Sequence, residues 1–192
     1  MSRRIATIAA RAGVDTDPAQ GAVMPPLYLS SNYSFAGFAQ KRRYDYTRSG
    51  NPTRDVLAGA LAELEGGAGG VVTSSGMSSI TLLTAQLRPE DLLIAPHDCY
   101  GGCYRLFKAQ AERGLYQVDF IDFTDQSAIT AALARKPKIV WIETPSNPLL
   151  RITDIAAVAR LAHAVDATVV VDNTFLSPAL QQPIALGADL VV

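Results

Sequence analysis

Thr168-Val169-Val170-Val171-Asp172 is an unbroken apolar run that stops at an acid. It has no polar alternation, so neither face suits water. It reads as a strand covered on both faces, in the middle of a parallel sheet. Open α/β sheets bind ligands outside the carboxyl ends of such strands, and Asp172 sits at that end. A carboxylate there can hold a proton on a heterocyclic nitrogen. The same acid also suits a turn, because Asp, Asn and Thr follow one another at 172–174.

The rest of the chain supplies companions for this strand. Ile5 to Ala12 reads as a short amphipathic helix closed by Gly13. Residues 14–51 show no sustained period and hold Pro18, Pro25, Pro26, Gly37 and Gly50. An irregular stretch of that length is usually functional or lies against another chain. From Thr53 the pattern becomes regular. Val56, Leu57, Ala60, Leu61 and Leu64 share one helical face, and Gly66-Gly67 ends it.

Strands are then expected at 70–73, 91–95, 116–121, 138–143, 168–172 and 188–192. Helices are expected at 76–87, 103–113, 127–134 and 155–165. Strands alternating with helices imply an α/β fold, a mostly parallel sheet with helices on both faces. Residues 1–52 read as an N-terminal arm and 53–192 as a large ligand-binding domain. The last apolar run would leave an unpaired edge, so the reading is of one segment of a longer polypeptide.

Composition removes several classes. The net charge is −1 with 18% charged residues, which lacks the basic excess that nucleic-acid binding needs. No apolar run approaches the roughly 18–20 residues of a membrane span, and Met1-Ser2-Arg3-Arg4-Ile5 has no apolar core behind its basic pair. The expectation is a cytoplasmic protein with neither nucleic acid nor membrane as partner. Cys99 and Cys103 do not form a disulfide framework. With His97 they could be drawn as metal ligands, but a fourth ligand is lacking, and no metal is expected.

Candidate chemistry lies at the strand ends. Thr73-Ser74-Ser75-Gly76-Met77-Ser78-Ser79 falls between a strand and a helix, where free N–H groups and a glycine make a phosphate seat. Ser75 also suits a plain N-cap. Tyr100, before Gly101-Gly102, could lie over a flat ligand or be an ordinary aromatic. Arg105, a turn later, could grip an acidic substrate tail or be a solvated helix residue. Asn147, between Ser146 and Pro148, could bond a ring oxygen or serve the turn. Gly66 to Gly70 precedes its strand, which is the wrong place for a dinucleotide fingerprint.

Several stretches together resemble one family. They are Tyr46-Thr47-Arg48-Ser49-Gly50-Asn51-Pro52-Thr53, Ser75-Gly76-Met77-Ser78, His97-Asp98-Cys99-Tyr100-Gly101-Gly102, Glu143-Thr144-Pro145-Ser146-Asn147-Pro148 and Val171-Asp172-Asn173-Thr174-Phe175. In this order they look like the signature of the Cys/Met-metabolism pyridoxal-phosphate enzymes, across essentially the whole chain.

The resemblance implies the aspartate-aminotransferase-like architecture called fold type I, here an incomplete large domain. It implies pyridoxal 5'-phosphate as cofactor, small amino-acid substrates, and a homotetramer built as a dimer of dimers whose arm completes the neighbouring site. Gly76 and Met77 would hold the phosphate through backbone N–H groups, with Ser75 and Thr174 nearby. Tyr46 and Arg48 would reach the phosphate in the adjoining subunit. Tyr100 would stack on the ring, Asn147 would bond its phenolic oxygen, and Asp172 would pair with its nitrogen. Arg105 would lie at the distal end of the substrate.

The implied activity is γ-replacement, joining an O-acyl (by expectation O-succinyl) homoserine to cysteine to give cystathionine in methionine biosynthesis. Alternatives within the family are γ- or β-elimination and homoserine-ester sulfhydrylation. From another class, the chain would be a binding domain alone. The family's Schiff-base lysine and its arginine for the substrate α-carboxylate have no counterpart here. The lysines are Lys41, Lys108, Lys136 and Lys138, none of them in the Ser-x-Thr-Lys context.

Overall fold

A computed structural model describes residues 4–192. They fall into two compact units, the first reaching to Val72 and the second running from Thr73 to Val192.

The first unit holds helices α1 (Ile5–Ala10) and α2 (Pro52–Glu65). The α2 boundaries are set locally. The Asn51 side-chain oxygen accepts from Thr53 N at 2.8 Å, and Pro52 follows at the first helical position, where a missing N–H costs nothing. Gly66 ends the helix at φ 73° and returns its N–H to the last turn. Between the helices the chain has only turns and isolated bridges, one of them pairing Asn32 with Tyr46. Leu29 and Phe38 in this stretch are 92% and 101% exposed.

The segment Gly70–Thr73, expected as a strand, forms none. Strands need a ladder, and no described residue pairs with it. Gly70 instead approaches α2 so closely that a Cβ would lie 2.6 Å from the Ala58 carbonyl oxygen.

The second unit is the sheet with its helices. In chain order it runs α3 (Gly76–Thr84), β1 (Leu92–Pro96), α4 (Gly101–Glu112), β2 (Gln117–Ile121), α5 (Gln126–Leu133) and β3 (Ile139–Glu143). Then come α6 (Ile155–His163), β4 (Thr168–Asp172), α7 (Ser177–Leu180) and β5 (Leu190–Val191). The strand order is β2-β1-β3-β4-β5 and every strand pair is parallel. The α7 turn and the 3-10 turn Pro183–Leu186 were not expected. Both are short and start at or beside a proline, so neither carries a readable period.

Side-chain parity divides the core. Leu92 and Ile94, Val140 and Ile142, and Val169 and Val171 face α5 and α6 on one side. Leu93 and Ala95, Ile139 and Trp141, and Val170 face α3 and α4 on the other. This is why the strands read as continuous apolar runs: every position is inward on one face or the other. Fully burying each large aliphatic side chain contributes about 1.5–3 kcal/mol, so the central strands are fixed rigidly. Their carboxyl ends inherit that rigidity.

Candidate functional site

The strands β1, β3 and β4 end side by side, and the segments leaving them enclose a cavity of about 320 Å³. That suits a small flat molecule. Its walls come wholly from the second unit. β1 passes into the turn carrying Tyr100, β3 ends at Glu143 and continues to Asn147, and β4 ends at Asp172. The start of α3 closes the remaining side with Ser75, Gly76 and Met77.

At that helix start, Ser75 is an N-cap in extended backbone, and its hydroxyl accepts from Ser78 N at 3.2 Å. The N–H groups of Gly76 and Met77 have no acceptor among the described residues. A Cβ on Gly76 would meet no protein atom within 4 Å. Protein packing therefore does not demand this glycine, and the space beside it is open to a ligand. Exposed helical N–H groups with a partial positive charge suit a phosphate.

Tyr100 precedes α4 and is 44% exposed. Its ring lies over Gly102, where an added Cβ would fall 2.5 Å from Cε1 and 3.1 Å from the Met77 sulfur. Glycine at 102 lets the ring and the thioether close over the same backbone.

Asp172 serves the turn and faces the cavity at once. Oδ1 accepts from Thr174 N at 3.0 Å, while Oδ2 has no partner among the described residues. The turn reading and the ligand reading thus take one oxygen each. The Asn147 side-chain amide likewise has no hydrogen-bond partner among the described residues; its backbone N–H donates to Glu143 Oε1 at 2.7 Å.

Of the sequence-predicted residues, the structure gathers Ser75, Gly76, Met77, Tyr100, Asn147, Asp172 and Thr174 around one cavity. Arg105 is exposed on α4 and does not line it; its guanidinium folds back toward Gly101. Tyr46 and Arg48 belong to the first unit, with the Arg48 guanidinium 5.2 Å from the Tyr46 ring centroid.

Glu143 was not singled out as a site residue. It lines the cavity at 5% exposure, in register with Asp172 on the next strand. A signal for it existed: like Asp172, it is an acid closing a buried apolar strand. Burial raises its pKa, opposed by the N–H groups of Tyr100 and Asn147.

The sulfurs belong to the core. Cys99 and Cys103 are buried and free, beside Phe107 and Trp141. Burial, then the Glu143 charge, pushes the Cys99 thiol up to about 12. Burial, then Asp172, pushes Cys103 up as well. His97 turns to the Ile121 carbonyl at 3.1 Å. Cys103, Glu143 and Asp172 each place one atom within 4.8 Å of the others. Both Glu143 oxygens are already engaged by backbone N–H groups. A thiol reagent at mildly alkaline pH should label neither cysteine in the folded protein and both in denaturant, read by mass spectrometry. Rapid native labelling would contradict this burial.

The donor set fits a phosphorylated pyridine. It offers free helical N–H groups at one end, an aromatic face, a side-chain amide and an unpaired carboxylate oxygen. The comparisons agree. The model of the Cys/Met metabolism PLP-dependent enzyme family matches residues 6–192. Cystathionine gamma-synthase of Escherichia coli is 61% identical over 193 aligned residues, covering all of this chain and 50% of that protein. Cystathionine beta-lyase of Lactococcus lactis subsp. cremoris is 43% identical, covering 94% of this chain and 47% of that protein. The crystal structure of cystathionine gamma synthase from Xanthomonas oryzae pv. oryzae in complex with cystathionine superimposes with a TM-score of 0.97. It is 60% identical, covering 100% of this chain and 50% of that one. The chain thus spans about half the length of the curated relatives it matches.

Proposed function

Since the chain belongs to the Cys/Met metabolism PLP-dependent enzyme family, we propose that the intact protein performs γ-replacement, forming cystathionine from an O-acyl homoserine and cysteine. The observation that carries the reading is the cavity. Its Gly76 and Met77 N–H groups, Tyr100 ring, Asn147 amide and free Asp172 oxygen match the cofactor's phosphate, ring face, phenolic oxygen and ring nitrogen. The similarity to the two synthases favours γ-replacement within the family.

Pyridoxal phosphate, when bound, supplies an electron sink for negative charge at the substrate Cα. The chain's own residues prepare that sink. Asp172 keeps a proton on the ring nitrogen through Oδ2. Tyr100 covers one ring face and excludes water. Gly76 and Met77, with the Ser75 and Thr174 hydroxyls, anchor the phosphate. Asn147 fixes the ring's rotation by donating to the phenolic oxygen.

The protein assembles as a cytoplasmic homotetramer, a dimer of dimers. The arm of residues 1–52 crosses to a neighbouring subunit, where Tyr46 and Arg48 complete the phosphate contacts; residues 53–192 belong to the cofactor-binding domain. The exposed Leu29 and Phe38 support this, since an arm with bare apolar side chains is suited to cover by a partner.

Incubating the intact protein with O-succinyl-homoserine and cysteine tests the reading. Cystathionine should form, and the protein should be yellow until borohydride bleaches it. A colourless protein that takes up no cofactor would leave only a binding domain. Formation of a 2-oxo acid and ammonia from cystathionine would instead favour the lyase reading, which the 43% identity to the Lactococcus enzyme supports.

Arg105 is assigned to the distal acyl carboxylate, reached by swinging away from Gly101. Arg105→Ala should raise KM for O-succinyl-homoserine about tenfold, the size of one lost charged hydrogen bond. An uncharged ester should be unaffected. Equal effects on both esters would remove the assignment.

A further inference from the structure

We infer that Glu143 is a positioning residue, a two-pronged clamp that fixes the distance between Tyr100 and Asn147 and so the width of the cavity. The inference rests on the cofactor reading above. Its geometric part stands on the chain's own atoms.

The two prongs are equal. Oε2 accepts from Tyr100 N at 2.7 Å, and Oε1 accepts from Asn147 N at 2.7 Å. The donors lie on different segments, one leaving β1 and one leaving β3. A carboxylate is the only common side chain with two acceptor-only oxygens that can meet two N–H donors at once. At 5% exposure it cannot exchange either bond for water without cost. The clamp is braced from behind: Ser146 Oγ donates to Asp98 Oδ2 at 2.7 Å and accepts from Arg151 N at 3.2 Å. The bond to Asp98 ties the segment leaving β3 to the one leaving β1 a second time, while the bond from Arg151 N stays within the segment leaving β3. Tyr100 and Asn147 thus sit on loops, but their backbones are tied to the end of a fully buried strand.

A carboxylate placed only to balance charge would have no need to split its oxygens between these two amides. One placed only to hold the fold would have no reason to choose the two residues whose side chains face the cavity. The clamp accounts for both choices.

Glu143→Gln keeps size and shape but puts an NH2 group against one of the N–H donors, leaving that donor unpaired. Glu143→Asp keeps the charge and withdraws both oxygens by one methylene. In the apoprotein, hydrogen exchange at the Tyr100 and Asn147 amides should quicken in both variants. In the reconstituted protein, the Kd for pyridoxal phosphate should rise about tenfold in both, the effect of one unsatisfied buried donor. In a Tyr100→Leu/Asn147→Ala background the same Glu143 changes should have almost no further effect on Kd, because the side chains being positioned are gone.

Each other outcome overturns the clamp. Wild-type Kd in Glu143→Asp alone would make the role one of charge. An undiminished effect in the Tyr100→Leu/Asn147→Ala background would make it one of general stability. If Glu143→Gln does not fold, Glu143→Asp carries the test. Wild-type protein that takes up no cofactor would sink the functional reading, while the apoprotein exchange rates still decide the clamp.

Discussion

Asn in place of Asp172 should lower kcat/KM of the intact protein by about a thousandfold, ~4 kcal/mol, with little change in thermal stability. The contrast follows from how the two oxygens are used. Oδ1 accepts the Thr174 N–H at 3.0 Å, and the carboxamide of Asn can keep that bond, so the turn after β4 survives. Oδ2 has no partner among the described residues and belongs to a side chain that lines the cavity, and there the replacement exchanges an anionic acceptor for a neutral NH2 donor. A donor aimed at the ring nitrogen favours its unprotonated form, which removes most of the electron demand on which the proposed chemistry depends. The variant should still take up cofactor through the α3 N-terminus and Tyr100, with an altered visible spectrum. Steady-state kinetics beside a thermal melt reads both halves. Activity within about tenfold of wild type would leave Asp172 as a turn residue and nothing more.

The same division explains what the sequence could reveal. β4 was legible because its Val run admits no exposed face, and its observed bounds, Thr168–Asp172, are those expected. Both ends of α2 were legible because Asn51, Pro52 and Gly66 act within one turn of themselves. The segment 70–73 was misread because its apolar β-branched residues satisfy a strand pattern, while a strand also requires a neighbour that no local pattern supplies. At the site, residues next to glycine, proline or a hydroxyl cluster stood out from their surroundings. Glu143 carries the mark it shares with Asp172, an acid closing a buried apolar strand, but its role also depends on the Tyr100 N–H, which arrives from a segment distant in sequence and which nothing in its own neighbourhood announces. Residues that line the cavity leave a local mark, whereas the tie between their backbones becomes visible only with the strands in register.

Removal of the Phe107 ring should cause the largest loss of stability, about 3–5 kcal/mol for Phe107→Ala. Phe107 is fully buried on α4 and meets Trp141 edge to face, with centroids 5.4 Å apart and planes at 72°. The space left behind would be lined by Ile80, Cys103 and Trp141. Trp141 Nε1 is buried and has no acceptor among the described residues. The surrounding cluster is otherwise apolar, too poor in polar partners to hold a water, so the void should stay dry and its cost undiminished. By contrast, Tyr104→Ala on the same helix removes a ring that is 37% exposed and lies 4.4 Å from Phe120; that change should cost about 1 kcal/mol. Trp141 is the one tryptophan of the sequence, so its fluorescence during urea unfolding reports on this packing directly. A Phe107→Ala midpoint no lower than that of Tyr104→Ala would contradict the packing described. The effect should also reach the cavity, because α4 begins at Gly101, immediately after Tyr100. A helix free to settle into the void would carry that residue's backbone with it, so cofactor affinity should fall even in the fraction of Phe107→Ala protein that remains folded.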